Sequence, residues 1–76
     1  MSLAQNSSDR WNSAFDRVAV TIETAVRERS IINARRQAQT ILEECQIPVD
    51  DVAMKAIIDR ILVLAMKRDV LVHLGD

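Results

Sequence analysis

Residues 27–37 read RERSIINARRQ, and the fold turns on whether this stretch is a turn between two helices or the middle of one. Upstream of it, Trp11, Phe15, Val18, Ile22, Ala25 and Val26 recur at spacings of three and four. That is the period of an amphipathic helix. Its polar side carries Arg10, Arg17, Thr21, Glu23 and Glu28. Downstream, Ile31, Ala34, Ala38, Ile41, Leu42 and Cys45 form a second helical stripe. On one continuous wheel, at about 100° per residue, the second stripe lies half a turn from the first.

Two arrangements satisfy both stripes. The chain can turn within RERS, with Ser30 capping a new helix from Ile31, and give a compact bundle. Alternatively one helix runs from about residue 8 to 45, unbroken or kinked near 27–30. A rod of that length, about 55 Å at 1.5 Å per residue, needs a second chain to cover it, and the product is an intertwined dimer. The stretch has no Gly or Pro, and Asn33 is not the Glu or Gln of a capping box begun at Ser30. These points favour the unbroken or kinked helix.

The next boundary is marked by CQIPVDD, 45–51. Pro48 disfavours helix at Ile47, and Asp50 or Asp51 can cap the next helix. This last helix is expected over about 51–74. Met54, Ile57, Ile58, Ile61, Leu64 and Ala65 form its apolar stripe, with Lys55, Asp59 and Lys67 opposite. Val52, Val63 and Val70 also fall on the polar side. Apolar residues on nearly every side imply a helix contacted from more than one direction. VLVHL, 70–74, reads as the helix end with Gly75 as its stop, or as a short extended tail. At the other end, residues 1–7 are expected as a disordered arm, with Ser7 or Ser8 as the first helix cap. The single domain is then 8–76.

Composition agrees with an all-α fold of two or three helices. Of 76 residues, 49% are hydrophobic, and only one Gly and one Pro punctuate the chain. So small a domain buries only about 60% of its unfolded surface and commonly needs disulfides, a metal or a partner. One cysteine and one histidine allow neither an internal disulfide nor a Cys/His zinc set. Oligomerisation is the remaining device, and a homodimer is the favoured expectation. Its candidate interface residues are Trp11, Phe15, Val18 and Ile22 on the first helix, with Ile57, Ile58, Ile61, Leu64 and Ala65 on the last.

The net charge of −1 gives no global attraction to nucleic acid or anionic lipid. The longest apolar run, ILVLAM at 61–66, is too short to span a bilayer. No signal peptide is apparent in MSLAQNSSDR, so the cytoplasm is the expected compartment. Arg27, Arg29, Arg35 and Arg36 cluster locally. Arginine forks suit phosphate, and Asn33, Gln37 and Gln39 nearby could read base edges. Ordinary pairing with Glu28, Glu43, Glu44 or acids of the last helix is the favoured reading of the cluster. No aromatic is interleaved to stack bases.

Glu43, Glu44, Asp50 and Asp51 bracket a loop but lack the alternating ligands and glycine of a calcium site. They read as caps and solubilising charges. Cys45 lies on an apolar stripe behind two glutamates and reads as core. His73 has no partner for catalysis nearby in sequence. No metal and no cofactor is expected.

The layout of VRERSIINARRQAQTILEECQIPVDD, a long helix, an I-P-x-D-D loop and a second helix, resembles the all-helical chorismate mutases. That resemblance implies an intertwined dimer binding a dianion, with Arg27 or Arg29 matching one of its basic residues. The lysine the family places near the end of the long helix is missing, with Gln39 and Thr40 there. The Arg–Glu pair after the loop is replaced by Val52, Ala53 and Met54. A non-catalytic helical protein acting by protein–protein contact is the leading expectation: a regulator, adaptor or chaperone. A DNA-binding regulator using Arg27, Arg29, Arg35 and Arg36 comes second, and an enzyme acting on a small anion third.

Overall fold

The chain breaks inside RERSIIN. A computed structural model describes the backbone of residues 3–74 and the side chains of 8–74. Helix α1 spans Leu3–Glu28, α2 Ala34–Glu44 and α3 Asp51–Lys67. Two short strands, β1 at Ile32–Asn33 and β2 at Val72–His73, pair in parallel. The result is an all-α bundle of three helices with a two-residue ladder at one end. The unbroken or kinked helix over 8–45 is therefore corrected to two helices, and the architecture is the compact alternative.

The out-of-phase stripes cause the break. With the chain reversed after α1, Ala14, Val18, Ile22 and Ala25 of α1 meet Ala34, Ala38, Ile41 and Leu42 of α2 in one core. Helix α3 packs on both, burying Ala53, Ile57, Ile61 and Ala65 at a strict four-residue interval. Each fully buried Val, Ile or Leu contributes about 1.5–3 kcal/mol. Holding one residue left-handed costs about 1–2 kcal/mol. Several such burials outweigh one strained turn. Six of the fourteen core residues are alanines, so the helices can approach closely, and no polar or charged residue is buried among those described.

All three helices stop by the same device, and none uses glycine. A left-handed residue follows each helix within two positions of its end: Arg29 at φ 54°, Gln46 at 59° and Asp69 at 55°. The next N–H then reaches back five residues. Ser30 N–H donates to the Ala25 carbonyl at 3.1 Å, Ile47 to Leu42 at 2.9 Å, and Val70 to Ala65 at 2.9 Å. This is the Schellman arrangement, which satisfies carbonyls orphaned at a helix end. Ser30 thus closes α1 and does not cap α2. The α2 cap is Asn33, whose side-chain oxygen accepts from Arg36 N–H at 3.0 Å. Of the two candidates at α3, Asp50 is the cap, accepting from Ala53 N–H at 2.7 Å.

The stop at Asp69 also corrects the last helix, which ends at Lys67 and not near 74. The chain beyond it is extended, with Ile32 opposite Val72 and Asn33 opposite His73. Ile32 N–H donates to the Leu71 carbonyl at 3.0 Å. Gly75, read as a helix stop, lies outside the described residues. At the N-terminus the helical backbone begins at Leu3, ahead of the expected cap at Ser7 or Ser8. The side chains of the expected arm, 1–7, lie outside those described. The long axis of the molecule, 41 Å, is close to the length of α1, whose 26 residues rise about 1.5 Å each.

Candidate interaction surface

The four arginines of the cluster are exposed, and among the described residues none forms an ion pair. The chain break separates them. Arg29 closes α1 and lines an open depression with Arg68, Asp69 and Leu71. Arg35 stands on the first turn of α2 and lines another, with Asp51, Met54, Lys55 and Ile58. Arg27 lines neither of them. Four arginines adjacent in sequence thus do not share one groove. The ion pairs that form use other arginines. Arg17 Nη1 donates to Glu44 Oε1 at 2.6 Å, tying α1 to the end of α2, and Arg68 pairs with Glu23, tying α3 to α1. Both pairs are about half exposed, so each adds at most about 1 kcal/mol.

Of the expected interface residues, Val18, Ile22, Ile57, Ile61 and Ala65 are buried inside the chain itself. Trp11, Phe15, Ile58 and Leu64 are partly buried and packed against that core. The Trp11 and Phe15 rings lie 5.8 Å apart, tilted, and the Arg60 guanidinium sits 5.2 Å over the Phe15 ring. Phe15 therefore meets α3 through the Arg60 cation, with Trp11 stacked at an angle beside it. Cys45 is half-buried against the core, and His73 is exposed on β2. Among the described residues no three His, Cys, Asp or Glu side chains gather where they could hold a metal, and no helix is long and apolar enough to cross a membrane.

Large apolar residues are exposed at Val20 on α1, at Val49 before α3, at the strand end of the bundle, and in a series along α3. Val52 is 80% exposed, Val63 47% and Met66 79%. With half-buried Ala56 and exposed Asp59, the series 52, 56, 59, 63, 66 alternates steps of four and three. That is the a/d spacing of a helix-pairing seam. On the helical wheel it lies opposite the buried series 53, 57, 61, 65. Helices α1 and α2 occupy the flanks of that buried face, with Phe15 of α1 beside Arg60 and Arg35 of α2 beside Met54 and Ile58. Lys55 and Lys67, both exposed, stand on either side of the outward seam. Leu62, half-buried, is not among the residues packed on the core.

The seam is half visible in the sequence: Val52 and Val63 on the polar side of α3 are its signal. Met66 is hidden because it ends the unbroken apolar run. Ile31, Leu71 and Leu74 are also exposed, at the strand end of the bundle. No protein-family model, no curated protein and no solved structure matches this chain.

Proposed function

We propose that this chain is a small non-catalytic interaction domain whose contact surface is the outward face of α3. One observation carries the reading: the seam Val52, Ala56, Val63 and Met66 keeps helix-pairing spacing on a face that no other described part of the chain covers. A solvent-facing helix side normally carries polar residues. Exposed apolar residues in helix-pairing register, with Asp59 among them, suit a contact site, and an apolar helix face laid against another helix is a recurrent mode of recognition. The stripes of α1 and α3 that would otherwise serve a partner are consumed in folding the single chain.

A photo-reactive amino acid at position 63, compared with one at exposed Asn12 on α1, tests the reading in an extract of the source cells. Specific adducts at 63 and none at 12 support it. No adducts at 63 in any fraction, including copies of the chain itself, would overturn it.

A further inference from the structure

We infer that the partner of the α3 seam is an acidic amphipathic helix with one basic residue in its apolar stripe. The inference rests on the proposed contact face and adds the chemistry of what it binds. The seam is not uniformly apolar. Asp59 stands at its midpoint, between Ala56 and Val63, and its rims carry Lys55, beside Asp51, on one side and Lys67 on the other. Among the described residues none of Asp59, Lys55 and Lys67 makes an ion pair within the chain. Burial of a seam residue under a partner strips water from it, and a charge so stripped needs an opposite charge. A basic residue facing Asp59 and acids facing the two lysines meet that need.

A second copy does not. In parallel pairing of two seams in register, Asp59 meets Asp59. In antiparallel pairing the a positions face the d positions, so Asp59 faces Ala56 or Val63 of the other copy and the two carboxylates lie about 4.5 Å apart along the axis. Parallel pairing also brings Lys55 near Arg60 of the other copy. Like charges across such an interface repel. A lipid surface is disfavoured for a related reason. Basic rims suit anionic headgroups, but Asp59 would then sit in the middle of the inserted face.

The test uses two labelled helical peptides sharing one four-three apolar seam. One has Glu on its rims and a Lys at the seam midpoint, and the other has these charges reversed. Fluorescence anisotropy with the full chain should show the Glu-rimmed peptide binding at least tenfold more tightly, and weakening as salt rises. Val63→Glu should abolish binding while far-UV circular dichroism stays unchanged. Asp59→Lys should transfer preference to a peptide with Glu at the midpoint. Equal binding of the two peptides overturns the inference. So does binding to neither peptide: if adducts still form at position 63, the contact face stands and the acidic partner falls. A doubled mass that Val63→Glu halves would overturn it in favour of a second copy. Val63-dependent binding to vesicles of anionic lipid would overturn it in favour of a membrane.

Discussion

Ile61 and Val63 stand two residues apart on α3 and on opposite sides of it, Ile61 fully buried and Val63 47% exposed. One helix thus does two jobs. Its inner series completes the core between α1 and α2, and its outer series is left to solvent. Truncation should separate the two. Ile61→Ala should cost about 2–5 kcal/mol through lost burial and the cavity left behind. Val63→Ala should change stability by no more than about 0.5 kcal/mol, as exposed sites do. Urea unfolding measures both. Similar losses at the two positions would mean that the outer face is covered.

The helix ends make a second prediction. Gln46 is held left-handed at φ 59°, where a side chain with a Cβ costs about 1–2 kcal/mol. Glycine removes that cost but adds flexibility to the unfolded chain. Gln46→Gly should stabilise the protein by a net of about 0.5–1 kcal/mol, read as a raised melting temperature. Gln46→Val, β-branched at the same position, should lower it.

Helix α2 begins with two cations in the wrong place. Arg35 and Arg36 come two and three residues after the Asn33 cap, at the end where the helix dipole favours acids. Arg36→Glu should therefore stabilise the fold by about 0.3–1 kcal/mol at low salt, and the gain should shrink as salt is added. A loss of stability would show that Arg36 has a partner in the folded protein.

The arginines also yield a prediction about nucleic acid. Arg29 and Arg35 line different depressions, and the whole chain carries a net charge of −1. No significant retention of duplex DNA is expected in a gel-shift at low salt, and Arg35→Ala/Arg36→Ala should leave that result unchanged. A shift that fades steeply with salt and vanishes in the double variant would restore the DNA-binding reading.

The stripes, the loop at Pro48 and the all-α class are legible in the sequence because helical periodicity reports burial directly. The break after Glu28 is not. A helix end is usually read from glycine, and Arg29, Gln46 and Asp69 take the left-handed position without it. The Asn33 cap is in plain view, but a cap at Ser30 falls three residues early. The half-turn phase shift between the stripes is the better signal, since one chain can bury both only by reversing. The ladder of Ile32 with Val72 is out of reach, because two residues carry no period. Likewise the arginine cluster resembles one site only on a straight chain. On α3, Val52 and Val63 announce a second apolar face, but which face the core claims depends on where α1 and α2 come to lie.

The most direct measurement is an amide chemical-shift map of the full chain titrated with the Glu-rimmed helical peptide. Shifts should concentrate at Val52, Ala56, Asp59, Val63 and Met66, with those of Ala14, Val18 and Arg29 essentially still. A map centred instead on the depression between Arg29 and Arg68 would contradict the assignment of α3 as the recognition face, and no shift at saturating peptide would contradict its acidic partner.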